Sequence, residues 1–159
     1  MPSNRRANGD LIDDINRRLL SELQRDARLT VAWLARQVSL SPPAVAERLQ
    51  RLEAAGVIRG YHADVDPAAL GYSLTAIIRV RPAPRQLHKV VELARATAEV
   101  VECHRITGED CFLIKAHVRD LTHLEELIDA LAPYGLTTTS IVQSSPVGAR
   151  GPALALPER

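Results

Sequence analysis

The spacing of apolar residues changes its period part-way along this 159-residue chain. Before about residue 60, apolar side chains recur at helical spacing, as in Leu11, Ile15, Leu19 and Leu23. From about residue 74, segments with the two-residue period of a strand alternate with segments of helical period. One ordinary domain or two small ones fit this length, and the change of period favours two small ones.

Three short helices are predicted in the first part. The first carries the stripe just described, begins with an acidic turn (Asp10, Asp13, Asp14) and ends near 26–28. Thr30 is the predicted N-cap of a second helix, whose apolar residues are Val31, Trp33, Leu34 and Val38. We interpret Trp33 as a core residue, because it lies inside this apolar pattern.

The third helix is predicted to follow the second after a short turn. Ser41 is its predicted N-cap, Pro42 occupies its first position, and Gly56 ends it. Its core residues are Val45, Leu49 and Leu52. Two such helices joined by a short turn predict a helix-turn-helix. After Gly56, the β-branched stretch from Val57 to Val65 predicts a short strand that acts as a wing.

The opposite face of the third helix predicts contact with a DNA groove. We expect Arg48 and Arg51 to read bases, because they lie three residues apart and project together. Replacing Arg48 with alanine would then weaken operator binding by about 1–3 kcal/mol. The other residues expected on this groove face are Ser41, Pro42, Pro43, Ala44 and Glu47, and those expected near phosphates are Arg28, Thr30, Arg36 and Arg59. The alternative is a solvated helix face with an ion pair between Glu47 and Arg51.

The charge distribution allows a DNA-binding first part although the whole chain has a net charge of only +1. Up to His62 there are ten Arg against seven acidic residues, a net of +3, and the remainder has a net of −2. Eighteen of the twenty basic residues are Arg, which suits bidentate contacts, although an Arg-rich coding bias also explains this choice. Arg5 and Arg6 belong either to an arm for the adjacent groove or to a disordered leader.

The second part has the predicted order β-α-β-β-α-β, the ferredoxin-like plan. The predicted strands are 74–81, 100–106, 112–118 and 137–143, and the helices carry the stripes from Leu87 to Ala98 and from Leu121 to Leu131. Asp120 caps the second helix, and Tyr134-Gly135 stops it. Two helices cover one face of such a sheet, so we expect a partner subunit on the other face and a homo-oligomer.

These elements predict an α+β chain divided into five parts. A leader (1–9) precedes a winged helix-turn-helix DNA-binding domain (10–62), a linker (63–73), a ferredoxin-like effector and oligomerisation domain (74–145), and an irregular tail (146–159). The composition excludes a membrane span and a disulfide framework, and the first ten residues lack a signal-peptide core. A cytoplasmic protein is therefore expected.

Several stretches together resemble one family. They are Leu11-Ile12-Asp13-Asp14-Ile15, Leu34-Ala35, Leu40-Ser41, Arg48-Leu49, Arg51-Leu52-Glu53, Gly56 to Tyr61, Thr107 to Lys115, and Thr137 to Val142. In this order they are similar to the Lrp/AsnC (feast/famine) regulators over about residues 10–145. The family often has Gly where this chain has Ser39, and an acidic residue where it has Cys111.

The resemblance implies a transcription regulator that binds double-stranded DNA. It also implies a homodimer that assembles into tetramers or octamers, with a small-molecule effector, usually an amino acid, between neighbouring dimers.

The turn after the second strand is the candidate effector site. Gly108 allows a close backbone approach that leaves N–H groups for a carboxylate, and Glu109 or Asp110 would accept from an ammonium group. The full candidate set is Thr107, Gly108, Glu109, Asp110, Cys111, Thr137, Thr138, Thr139 and Ser140. The alternative is a plain polar hairpin with a threonine-rich edge strand.

Two other functions remain open from the sequence. Sirohaem decarboxylases resemble the same family in both domains, and His104 would be a candidate acid there. A sensing module with a degenerate DNA domain is disfavoured by the arginines of the third helix. We expect no metal, because the five histidines lack ligand spacing. We expect no catalytic residue or cofactor, because the sequence has no Ser-His-Asp or Cys-His pattern, P-loop or GxGxxG motif. If the turn has four residues, Cys103 lies opposite Ile114, and the thiols of Cys103 and Cys111 point to opposite sides.

Overall fold

The computed structural model describes residues 11–154, which form two compact units. The first unit contains residues 11–63 together with 148–154, and the second contains 64–147. The predicted leader and the last five residues of the chain lie outside the described part. Among the described residues, no helix is long and apolar enough to cross a membrane.

Three helices form the first unit, close to their predicted positions. They are α1 (Asp14–Arg25), α2 (Val31–Val38) and α3 (Pro42–Ala54). The side chains of Asp13, Thr30 and Ser41 are the N-caps, each accepting a hydrogen bond from a backbone N–H three residues on. Asp13 is therefore a cap and not a first-turn residue. Gly56 follows α3 with a φ of 69°, as expected of a C-terminal stop.

The turn between α2 and α3 has the backbone geometry that a glycine adopts easily. Ser39 lies in the left-handed region, with a φ of 55° and a ψ of 42°. Its N–H donates to Ala35 O and closes α2. The turn therefore forms with serine at a position that favours glycine, at some cost in backbone strain.

The core of the first unit lies between the three helices. Its buried residues are Leu19, Leu34, Ala35, Val45, Leu49 and Leu52. Trp33 is half-buried against this core, which confirms its interpretation as a packing residue.

The predicted wing strand is wrong. Residues 57–65 form no strand within the described part of the chain, because no second segment there pairs with them. Val57 and Ile58 instead pack on the helical core, and their N–H groups both donate to Leu52 O. Their β-branched side chains thus close the end of α3 and do not enter a sheet.

The second unit is a four-stranded antiparallel sheet with two helices. Its elements are β1 (Leu74–Pro82), α4 (Leu87–Ala96), β2 (Val100–Arg105), β3 (Phe112–Val118), α5 (Leu121–Leu131) and β4 (Gly135–Ile141), and the strand order is β2-β3-β1-β4. The predicted β-α-β-β-α-β order is confirmed. Short 3₁₀ turns at Ala68–Leu70 and Ala132–Tyr134 precede β1 and β4.

Several element ends differ from the prediction by one or two residues: β1 ends one residue later than predicted, β2 one residue earlier and β4 two residues earlier. Helix α4 stops before Ala98, because the Thr97 hydroxyl donates to Leu93 O and its N–H closes the last turn. Strand β4 begins two residues early, at Gly135, which pairs with Pro82. A Cβ on Gly135 would come 2.2 Å from Arg81 O, so the missing side chain permits this pairing.

The sheet has one buried face and one mixed face. Ala76, Ile78 and Val80 on β1 pair with Ala116, Ile114 and Phe112 on β3, and all six are buried under α4 and α5. The alternate residues, including Thr75, Ile77, Arg79 and Arg81, lie on the other face, which we call the open face. This face carries charged, hydroxyl and apolar side chains together.

Candidate nucleic-acid interface and effector site

The N-terminal end of α3 is an exposed surface made of small residues. Ser41, Pro42 and Pro43 are exposed and Ala44 is half-buried. Ser41 Oγ accepts a hydrogen bond from the Ala44 N–H at 3.4 Å. The helix dipole places partial positive charge at this end, and small side chains let it approach a polyanion closely.

Arg51 and Glu47 lie on the exposed face of α3. Arg51 Nε lies 4.0 Å from Glu47 Oε1, one helical turn away, and both side chains are more than half exposed. An exposed i,i+4 pair contributes little stability, so Arg51 can leave Glu47 for another acceptor at small cost. The ion pair between Glu47 and Arg51, predicted as the alternative to DNA contact, is therefore present, but it leaves Arg51 able to bind another acceptor.

Arg48 differs from its predicted place beside Arg51. Its Nη1 lies 2.6 Å from Asp13 Oδ2 and donates to Asn16 Oδ1 at 3.1 Å, and its side chain is only 21% exposed. Asn16 is buried and also donates to Leu11 O at 2.7 Å. Arg48 therefore ties α3 to the start of α1. Arg48 and Arg51 thus have different partners in this structure, because Arg48 is held by α1 and Arg51 extends toward Glu47.

This network also affects Asp13. Burial raises the pKa of its carboxyl, but the Asn16 N–H, the Arg48 hydrogen bond and the charges of Arg48 and Arg51 lower it more, so the net pKa lies below the ordinary value. The carboxylate form is thus the one that the folded unit stabilises.

The expected phosphate-contacting residues are all on the surface. Arg28, Thr30, Arg36 and Arg59 are exposed. The Thr30 hydroxyl already caps α2, accepting from the Trp33 N–H at 3.2 Å. Arg59 lies on the irregular segment that replaces the predicted wing, so its position does not depend on a strand.

The candidate effector turn, Thr107 to Asp110, connects β2 to β3. It is closed by the Ile106 N–H, which donates to Cys111 O at 2.8 Å. Gly108 has a φ of 109°, a conformation that other residues rarely adopt. The register places Cys103 opposite Ile114, as the four-residue turn predicts.

Two arginines that the sequence analysis did not select hold the carboxylates of this turn. Arg79 Nη1 lies 3.7 Å from Asp110 Oδ2, and Arg81 Nε lies 3.6 Å from Asp110 Oδ1. Arg81 Nη2 also donates to Glu109 Oε2. Glu109 and Asp110, the two carboxylates predicted to accept from an ammonium group, are therefore already paired with arginines in this structure. The two-residue period of β1 already placed both arginines on one face, and that was the available signal.

The four hydroxyl residues of β4 do not form one surface. Thr137 and Thr139 pair with Val80 and Ile78 and lie on the helix side of the sheet. Thr138 and Ser140 pair with Arg79 and Ile77 on the open face. Only Thr138 among them is therefore a direct cross-strand neighbour of an arginine that holds the turn.

The described cysteines and histidines do not gather into one site. Cys103 and Cys111 are free thiols, and burial raises the pKa of Cys103. On the open face, Glu102 contacts His104 and Lys115, which lowers the pKa of its carboxyl. In residues 11–154 no group of three or more His, Cys, Asp or Glu side chains is arranged to hold a metal ion.

Sequence comparisons identify the family. Residues 12–53 match the AsnC-type helix-turn-helix domain, and residues 75–152 match the Lrp/AsnC ligand binding domain. The transcriptional regulator LrpC of Bacillus subtilis is 30% identical over 84% of this chain and 92% of its own length. The chain belongs to the Lrp/AsnC family.

Solved structures of Lrp/AsnC proteins have the same fold. The structure of B. subtilis LrpC matches with a TM-score of 0.81, covering 84% of this chain and 96% of that one. A Neisseria meningitidis transcriptional regulator in complex with L-methionine is 29% identical, with a TM-score of 0.84, covering 91% and 97%. A feast or famine regulatory protein from Mycobacterium tuberculosis, also with L-methionine, is 31% identical, with a TM-score of 0.83, covering 88% and 97%.

As a member of the Lrp/AsnC family, this chain is a DNA-binding transcriptional regulator with a ligand-binding domain. Its relatives are regulators and not enzymes, so the matches support this function and not the sirohaem decarboxylase alternative. Both halves match in the predicted order, which also argues against a module that has lost its DNA-binding domain.

Proposed function

We propose that this regulator reads DNA with the N-terminal end of α3 and Arg51. Two observations carry the proposal: the exposed, small-residue N-terminal end of α3, and an arginine in the last turn of the same helix whose ion pair with Glu47 is weak and exposed. Ser41, Pro42, Pro43 and Ala44 line the approach to the groove, and Glu47 releases Arg51 on binding. Arg28, Thr30, Arg36 and Arg59 contact phosphates, which position the protein without reading sequence.

A DNA titration tests this assignment. The probe is a duplex selected by the wild-type protein from randomised DNA, followed by fluorescence anisotropy. We expect Arg51→Ala to weaken binding to this duplex by about 1–3 kcal/mol while binding to unrelated DNA changes less. Arg36→Ala should weaken binding to both duplexes equally and reduce the salt dependence. Equal effects of the two variants on both duplexes would contradict base reading by Arg51.

We propose an amino acid as the effector of the second unit, bound at the turn from Thr107 to Asp110. Two relatives of 29% and 31% identity hold L-methionine, and this chain matches the family's ligand-binding domain over residues 75–152. Gly108 offers the backbone N–H groups of the turn. Cys111 and the hydroxyl residues Thr137, Thr138, Thr139 and Ser140 supply the rest of the site, in part from neighbouring subunits.

Calorimetry with the twenty L-amino acids tests the effector. We expect heat from at least one of them. No heat from any of them would reject an amino-acid effector.

A homodimer that assembles further, to a tetramer or an octamer, fits the open sheet face. Ile77 and Leu113 lie there half-buried beside charged residues, and such a face is normally covered. A dimer would require two half-sites about one helical turn of DNA apart. A single species of monomer mass in light scattering would reject this. The match to bacterial DNA-binding regulators supports a cytoplasmic location for this chain.

A further inference from the structure

Four charged side chains meet where β1 passes the effector turn. Arg79 and Arg81 project from β1, and Glu109 and Asp110 belong to the turn. With two positive and two negative groups, the cluster has no net charge. An ammonium group alone, or a carboxylate alone, finds no uncompensated partner in it.

The two carboxylates of this cluster have different roles. Asp110 contacts both arginines, at 3.6 and 3.7 Å, and its side chain is 26% exposed. Within residues 11–154, the carboxylate of Glu109 forms an ion pair with Arg81 alone, and its side chain is 79% exposed. Asp110 thus holds the two guanidinium groups in place, and Glu109 is the member that can leave without disturbing them.

We infer that a zwitterionic effector binds by exchanging with the Arg81–Glu109 ion pair. The ligand's carboxylate binds the Arg81 guanidinium, and its ammonium group binds the carboxylate of Glu109. The inference rests on the proposed amino-acid effector and adds the residues that recognise its two charges.

The energetics of the exchange favour a ligand that carries both charges. An exposed ion pair contributes little net stability, so opening it costs little. A guanidinium binds a carboxylate through two parallel N–H groups, which Arg81 can offer when Glu109 has moved. A ligand with only a carboxylate leaves Glu109 without its cation, and one with only an ammonium leaves Arg81 without its anion.

The cluster therefore selects α-amino acids, which carry both an ammonium group and a carboxylate. A 2-hydroxy acid and an amino acid amide, which each lack one of the two charges, should both be rejected. Arg79 is a positioning residue. It pairs with Asp110, and among the described residues it forms no ion pair with Glu109.

Calorimetry on the full chain tests the exchange. The probes are the twenty L-amino acids, with L-methionine as reference, then the amide and the 2-hydroxy acid of whichever amino acid binds. The variants are Arg81→Gln, Arg81→Lys and Glu109→Gln. The matched control is Arg105→Gln, which removes the same charge from the other face of the same sheet, since Arg105 pairs with Phe112.

We expect Arg81→Gln to weaken amino-acid binding at least tenfold, Arg81→Lys less, and Arg105→Gln not at all. Glu109→Gln should weaken binding of the amino acid but strengthen binding of the 2-hydroxy acid, because the internal competitor for Arg81 is gone. This reversal of sign would not follow from a merely structural role. If amino acids bind the wild type and all variants equally, the exchange is overturned and the amino-acid effector stands. If no amino acid binds the wild type, both proposals are overturned.

Discussion

Replacing Arg48 with alanine removes the cross-connection between α3 and the N-terminus of α1. Two contributions are lost. Asn16 Oδ1, on a residue only 2% exposed, loses its charged donor, and a buried polar group without a partner costs about 1–3 kcal/mol. The ion pair with Asp13, whose side chain is 42% exposed, contributes about 0–1 kcal/mol. We expect the first unit to lose about 1–4 kcal/mol of its free energy of unfolding.

Urea unfolding followed by tryptophan fluorescence measures this loss. Trp33 is the single tryptophan of the chain and packs on the core of the first unit, so its emission reports that unit. With a slope of about 1 kcal/mol per molar urea, the midpoint should fall by about 1–4 M. The control is Arg51→Ala, whose exposed pair at 4.0 Å is worth about 0.3–0.5 kcal/mol.

The two variants should therefore separate stability from DNA binding. Arg51→Ala should weaken DNA binding with a nearly unchanged midpoint, and Arg48→Ala should lower the midpoint. In conditions where both variants are fully folded, Arg48→Ala should bind the selected duplex better than Arg51→Ala. If Arg48→Ala keeps the wild-type midpoint and loses as much DNA affinity as Arg51→Ala, the assignment of Arg48 to the α1–α3 contact is refuted.

Three further changes follow from the same geometry. The pKa of Asp13 is depressed in the folded unit, so its carboxylate stabilises the fold at pH values above its unfolded pKa of about 3.9, and this stabilisation is lost as the pH falls through the folded pKa. Arg48→Ala should reduce this loss of stability at acid pH, as measured by urea unfolding at a series of pH values. Ser39→Gly should raise the free energy of unfolding of the first unit by about 0.5–1 kcal/mol, and with it the urea midpoint, since glycine adopts the left-handed turn without strain; a lower midpoint would contradict the strain. Gly135→Ala should destabilise the second unit by about 1–3 kcal/mol, seen in thermal unfolding by circular dichroism, because its Cβ would meet the Arg81 carbonyl; unchanged melting would show that β4 shifts freely.

Features that depend on neighbouring residues could be predicted from the sequence. The N-caps Thr30, Ser41 and Asp120 act on N–H groups three residues away, so sequence alone places them. The pairing of Cys103 with Ile114 follows from the length of one turn. The faces of the sheet follow from the two-residue period of its strands.

Features that depend on distant residues could not be predicted. Val57 to Val65 has strand-forming residues, but a strand requires a partner, and the N–H groups of Val57 and Ile58 donate to Leu52 O of α3 instead. Arg48 is predicted on the exposed side of its helix, and only the packing of α1 brings Asp13 within reach. The arginines of β1 lie 28 or more residues from Glu109 and Asp110 along the chain, so their pairing is visible only in the folded sheet.

We propose that amino-acid binding in the second unit changes DNA binding by the first. An anisotropy titration of the selected duplex, with and without the amino acid found by calorimetry, tests it most directly. We predict at least about a fivefold change in DNA affinity, with the duplex changing amino-acid affinity by the same factor. DNA affinity that is identical with and without saturating amino acid would contradict the account.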